Sequence, residues 1–318
     1  MVGFNLVVDP LWAFGGNKLF DTNIAFNERL TKIYLFERRK SDPACLILGS
    51  SRTTLLDQRD FCGGDSFNLS FSAGRIREFI AYARYLKSKG YEPKVLLVEA
   101  SMFNFYGDPQ REVPDWVDEF KRPPSKWANY MSWDVVQWSR QTLRRQFPSR
   151  TGQRYYDQNF ACQPIPGLKP YRPAFRRKIS PQKYQIEWVE LYDELHSVFP
   201  NAHYILYAPP VSPWEVYKDY YKNEESFFHV ARRLSIIADE FYDFSAPGAL
   251  TYDTDNSYDG KHFLTHVWKS IANEMDPTEN RTRPHLVRPD TFEEYREHYI
   301  GLMQTFIEST VDAGAVSP

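Results

Sequence analysis

The chain has 318 residues, of which 42% are hydrophobic, 16% aromatic and 25% charged, with a net charge of −2. So many large apolar side chains exclude a disordered chain, and so small a net charge argues against a protein that lives on nucleic acid. The sequence has no apolar run of about 18 residues to cross a membrane, and no charged start and apolar core of a signal peptide.

Residues 4–14 (FNLVVDPLWAF) are unusually apolar for a chain start. They read either as a segment that follows a removed anchor, or as a first strand or docking arm. Residues 44–49 (ACLILG), bounded by Asp42-Pro43 and by Gly49-Ser50-Ser51, predict a buried strand. Residues 67–71 predict a weaker one, and Ile76, Phe79, Ile80, Ala83 and Leu86 mark one face of a helix over 75–89. Residues 94–100 (KVLLVEA) are apolar without alternation, as for a strand covered on both faces.

Residues 105–180 are different in kind. They hold 14 basic against 7 acidic residues, 9 of the 22 prolines and 4 of the 8 tryptophans. Prolines at that density break regular structure. The segment is expected to be a basic insertion or lid over the sheet edge. Its tryptophans either pack it or, for Trp116 and Trp127, stack on sugar rings of a ligand.

The alternation then resumes. A helix is expected over 181–198, a strand over 202–208 halted by Pro209-Pro210, a helix over 224–240, a strand over 241–244 and a last core helix over 263–275. Residues 290–309 have helical periodicity and make a C-terminal extension from about 285, with frayed residues at 313–318. Strand–helix alternation in this order predicts a single α/β domain over 1–318: a three-layer α/β/α sandwich on a mainly parallel sheet. Three cysteines, an odd count with no CxxC, argue against a disulfide framework, and Cys45 reads as a buried, inert thiol.

Two short blocks carry chemistry. Gly49-Ser50-Ser51-Arg52 follows a buried strand, where a turn presents a serine hydroxyl at the carboxyl end of the sheet. Tyr258-Asp259-Gly260-Lys261-His262 lies near the end of the alternation, and an aspartate three residues before a histidine can fix its tautomer. Each is weak alone, since Gly-Ser-Ser is often a helix cap and loop histidines are common.

Taken together, Ser51 and the late Asp259-x-x-His262 resemble the SGNH (GDSL-like) hydrolase superfamily over residues 44–104 and 202–275. The resemblance implies Ser51 as nucleophile, His262 as general base and Asp259 as its orienter. It also implies an oxyanion hole from the Ser51 N–H, a glycine after the second strand and an asparagine after the third. Gly74 and Asn104 stand nearest to those positions, although the usual Gly-x-Asn-Asp sequence is absent. The Gly-Ser-Ser-Arg form is most similar to the branch that works on bacterial cell-envelope and exopolysaccharide acylation. That implies a carbohydrate or other acyl-ester substrate, a membrane-bound acyl donor protein as partner, no cofactor, and an extracytoplasmic or periplasmic setting. A cytoplasmic one is the alternative. Arg52 either binds an anionic substrate or pairs with a core carboxylate such as Glu99.

Gly64-Asp65-Ser66 spells the eponymous tripeptide but precedes a strand, so Ser66 is rejected as nucleophile. His266, four residues after His262, lacks a third ligand and is not read as a metal site. The rival readings are a non-catalytic scaffold that binds polysaccharide or an assembly partner, and a cytosolic lipase or thioesterase.

Overall fold

A computed structural model describes residues 2–17, 19, 22–24, 26–106, 113–145, 153–173, 184–220, 223–279 and 281–312. Its centre is a six-stranded sheet with the order β2-β1-β3-β6-β7-β8. The strands are β1 (Cys45–Leu48), β2 (Ser66–Asn68), β3 (Val95–Glu99), β6 (His203–Ala208), β7 (Glu240–Asp243) and β8 (Leu286–Val287). All pair in parallel except β8, which lies antiparallel to β7. The remaining strands, β4 (Arg154–Tyr156) and β5 (Cys162–Pro164), form a separate antiparallel hairpin.

Side chains of successive strand residues go to opposite faces, and here both faces are covered. Leu46, Leu48, Leu96, Val98, Tyr204, Leu206 and Phe241 join a core with the helices Ile76–Ser88, Glu190–Val198, Glu224–Ile237 and Phe292–Phe306. Ile47, Val95, Leu97, Ile205, Tyr207 and Tyr242 pack on the other side against Trp268, Ile271 and Met275 of the helix Thr265–Met275. The molecule is a three-layer α/β/α sandwich, and its uniformly apolar strands follow from that double cover.

The apolar start is a helix, Val2–Val8, and not a strand. It leads into an arm whose Leu11 and Ala13 pack with Tyr130 and Val135 of residues 105–180. Asp9 ties the arm down: it accepts from the backbone N–H of Phe14 (3.0 Å) and Gly16 (2.6 Å) and from the Tyr130 hydroxyl. Residues 105–180 contain the short helices Asp115–Asp118, Lys126–Tyr130 and Trp133–Leu143 and the β4–β5 hairpin. Their parts at 107–112, 146–152 and 174–180 lie outside the described residues, as do 181–183 of the expected helix over 181–198 and the expected frayed end at 313–318.

The cysteine expectation is corrected. Cys45 and Cys62 form a disulfide, and only Cys162 is a free, buried thiol. Cys45 opens β1 opposite Ser66 of β2, so the chain between the strands must return to its start. That return places Cys62 with its Cα 6.4 Å from that of Cys45, within bridging range.

Candidate active site

The order of the sheet reverses at β1: the chain runs from β1 to β2 on one side and β3 follows on the other. A crevice opens outside the carboxyl ends of strands at such a point. Ser51 lies there, in the turn between β1 and a short 3-10 segment, Thr53–Leu55, where a helix start was expected. Glu99, fully buried at the end of β3, holds the turn. Its carboxylate accepts from the Ser50 N–H (2.7 Å), the Ser50 hydroxyl (2.8 Å) and the Thr53 hydroxyl (2.6 Å). Gly49 makes this fit possible, because any Cβ there would strike the Thr53 side chain.

The opposite wall is the loop carrying Asp259 and His262. Gly260 has φ +79°, a left-handed conformation that favours glycine and turns the chain between them. Asp259 Oδ1 accepts from the backbone N–H of Lys261 (2.9 Å) and His262 (2.8 Å), while Oδ2 accepts from His262 Nδ1 at 2.7 Å. With Nδ1 protonated toward the carboxylate, Nε2 keeps its lone pair for the Ser51 hydroxyl, 2.8 Å away. Tyr258 stacks flat on the imidazole, with centroids 5.3 Å apart and planes 5° from parallel.

Burial pushes His262 below the ordinary imidazole value, against the raising pull of Asp259. Burial pulls the Asp259 carboxyl up, but the hydrogen bond and charge of His262, with two backbone N–H groups, hold it below its usual range. The arrangement is a relay: an aspartate fixes a histidine that is neutral at neutral pH and positioned to take a proton from a serine.

The other expected site residues are distributed differently. Gly74 does not offer its N–H to the site, since that group donates to the Phe71 carbonyl (3.0 Å). Gly74 is instead a close-packing glycine, with Phe79 and the Gly49 carbonyl where a Cβ would be. Asn104 is buried and its amide donates to the Tyr192 hydroxyl (3.1 Å), itself bonded to the Glu99 carbonyl (3.2 Å). The Ser51 N–H, by contrast, meets no acceptor among the described residues. Arg52 does not pair with Glu99, which Ser50 and Thr53 occupy. It lines a small cavity, about 30 Å³, past the carboxyl ends of β1, β3 and β6, together with Ser101, Met102, Val211, Phe227 and Lys261. Ser51 and His262 are represented there by their chain neighbours Arg52 and Lys261 and do not themselves line it.

Neither tryptophan proposed for a ligand lines that cavity. Trp116 packs edge-on against Tyr82 and Tyr85, and Trp127 is exposed beside Phe14. Ser66 opens β2 at the amino end of the sheet and donates to the Gln58 carbonyl. His266 bonds Asn256.

Three residues near the site had no sequence signal. Ser101 follows β3 without belonging to a motif, and Lys261 fills a variable position of the Asp259-x-x-His262 block. Arg154 comes from the β4–β5 hairpin, bonds Glu28 (3.2 Å) and the Ser72 hydroxyl, and lowers His262 further by its charge.

No protein-family model matches the sequence, and no curated protein does. Among solved structures the chain is similar to a carbohydrate esterase family 2 enzyme plus carbohydrate-binding domain of Corynascus thermopiles (Myceliophthora fergusii). That likeness has 13% identity and a TM-score of 0.35, and covers 74% of this chain and 65% of that chain.

Proposed function

We propose that the chain performs serine-dependent acyl-ester chemistry, with Ser51 as nucleophile, His262 as general base and Asp259 as its orienter. The observation that carries this is the continuous relay from Ser51 Oγ to His262 Nε2 (2.8 Å) and from His262 Nδ1 to Asp259 Oδ2 (2.7 Å). His262 takes the Ser51 proton as Oγ bonds to the ester carbonyl carbon, then returns it to the departing alcohol oxygen. Water next releases the acyl group, giving an esterase, or a sugar hydroxyl takes it, giving an O-acyltransferase. The acyl group we assign, acetyl, rests on the Gly-Ser-Ser-Arg resemblance.

We assign the acceptor to the carbohydrates of a bacterial cell envelope or exopolysaccharide, on the Gly-Ser-Ser-Arg resemblance, with a membrane-bound protein as the acyl donor in the transfer case. Arg52 at the cavity fits a substrate carrying negative charge nearby. The Cys45–Cys62 disulfide favours an extracytoplasmic setting, because such bonds persist in oxidising compartments. A scaffold that only binds polysaccharide is the rival, favoured by the displaced Asn104 and opposed by the intact relay. The test is covalent labelling with a fluorophosphonate probe. Labelling of the wild type that is lost in folded Ser51→Ala and His262→Ala is expected. A folded wild type that never labels would leave the scaffold.

A further inference from the structure

The relay lacks a second group to hold the oxygen on which negative charge develops. One N–H, that of Ser51, has no other acceptor among the described residues; the Gly74 N–H is engaged by Phe71, and Asn104 bonds Tyr192 and does not line the cavity. We propose that the Ser101 hydroxyl is this second oxyanion donor, and so a catalytic residue. The proposal rests on Ser51 being the nucleophile.

Four observations converge on Ser101. The first is register: Leu48 of β1 pairs with Val98 of β3. Ser51 and Ser101 each lie three residues beyond those partners, in the loops that follow two adjacent parallel strands at the crevice where the sheet order reverses. The second is burial with no partner. Ser101 is 1% exposed, and its Oγ has no hydrogen-bond partner among the described residues. Other buried hydroxyls, Ser70 and Ser212 among them, are unmatched too, but Ser101 is the one of these that lines the cavity.

The third is an ordinary role left vacant. Ser101 precedes the 3-10 turn Met102–Phe105 in the position where serine side chains usually cap a helix, and its hydroxyl makes no such bond. The fourth is location. Ser101 lines the same cavity as Arg52 and Lys261, the chain neighbours of Ser51 and His262. Lys261 is already paired with Glu215 (3.3 Å), and the Ser245 hydroxyl, which also lines the cavity, with the Tyr299 hydroxyl (3.3 Å).

In the acylation step the Ser51 Oγ–carbon bond forms as the carbonyl π pair moves onto oxygen, and the Ser51 proton passes to His262 Nε2. Ser101 donates a hydrogen bond to that oxygen without giving up its proton. Its hydroxyl donates to nothing among the described residues, so no existing bond has to break for it to do so. When the leaving-group bond breaks, the π pair returns and His262 delivers its proton to the departing alcohol. An oxyanion donor acts on the transition state, so its loss lowers kcat and leaves KM nearly unchanged.

The experiment is steady-state hydrolysis of 4-nitrophenyl acetate by the full chain. The proteins compared are the wild type, Ser101→Ala, Ser101→Gly and Ser101→Thr, with thermal melting as the check on folding and fluorophosphonate labelling of the wild type alongside. The expected result is a fall in kcat of about 10²–10³-fold in the two variants without a hydroxyl. KM should stay within about twofold, and Ser101→Thr should recover most of the rate. A Ser101→Ala kcat within about threefold of wild type would overturn the proposal, as would a raised KM with kcat unchanged. If the wild type labels at Ser51 and Ser101→Ala is unaffected, only this inference falls. If the wild type neither labels nor turns over, the nucleophile reading falls and takes this one with it.

Discussion

A serine hydroxyl is a weak nucleophile until a neutral base stands beside it, so the chemistry at Ser51 depends on the protonation of His262. Burial lowers the pKa of His262 from the free imidazole value of 6.5. The groups facing the ring are Asp259, which raises the pKa, and Arg154 and Arg52, which lower it. A lowered pKa keeps the base neutral to more acidic pH. The rate kcat/KM is therefore expected to rise through a midpoint below 6.5 and to be flat by neutrality. In Asp259→Asn the raising pull is gone and the tautomer is no longer fixed, so the midpoint should fall further. The plateau should drop on the order of 10⁴-fold. A wild-type midpoint above 6.5 would mean that His262 is not the titrating base. At this scale the meeting of Ser51, Asp259 and His262 is legible in the sequence, because two short blocks carry them, one directly after β1 and one in the loop before the helix Thr265–Met275. The oxyanion partners are not. Whether Gly74 N–H or the Asn104 amide is available depends on Phe71 and Tyr192, and no spacing rule encodes a neighbour's hydrogen bond.

Among the elements, β1, β3 and β6 announce themselves as uninterrupted apolar runs because helices cover both of their faces. The helix Glu28–Glu37 does not, and its buried residues explain why: Glu28 and Lys32 interrupt the apolar stripe. Both charges are accommodated by distant chain, with Arg154 and the Tyr156 hydroxyl (2.8 Å) bonded to Glu28. The Cys45–Cys62 bridge was hidden for a related reason, since the pairing depends on where the loop before β2 returns. It encloses a short loop, with a sequence separation of 17, beside the strand that delivers Ser51. Closing a loop of that length restricts the unfolded chain by about 3 kcal/mol. Cys45→Ala with Cys62→Ala, or a reductant, is expected to lower the unfolding free energy by that order and so the urea midpoint, with a steeper slope because the released unfolded chain exposes more surface. A midpoint indifferent to reductant would show that the bridge contributes nothing to stability.

For the whole molecule, the basic, proline-rich stretch between β3 and β6 acts as a wedge that locks distant parts of the chain together. Its hairpin inserts Arg154 between Glu28, from before β1, and Ser72, from the loop after β2. Arg154 therefore joins three segments that the α/β alternation alone leaves independent. The Glu28 carboxyl is raised by its burial. The charges of Arg154 and Lys32 and the bonds from Ser72 outweigh this and bring it down to about 2. Its folded pKa thus lies below the unfolded value of about 4.3. The stability it contributes is fully present above that value and is lost as pH falls from there toward 2. Lys32, buried in the same cluster, is brought down to about 8 mainly by desolvation. It stays charged throughout that acidic window, so the cluster's own loss there belongs to Glu28. Glu240, which burial raises but its bonds to His203, Tyr242 and Arg283 bring down to about 2, adds a separate loss that Glu28→Gln leaves in place. Urea unfolding of the wild type between pH 5 and pH 2 should show a steep decline. Glu28→Gln should start lower at pH 5, because Arg154 loses its counter-charge, and decline less over the same range. Parallel curves would mean that the carboxylate is not what joins the hairpin to the sheet, and the wedge would then have to act through the packing of Tyr156 and Cys162 alone.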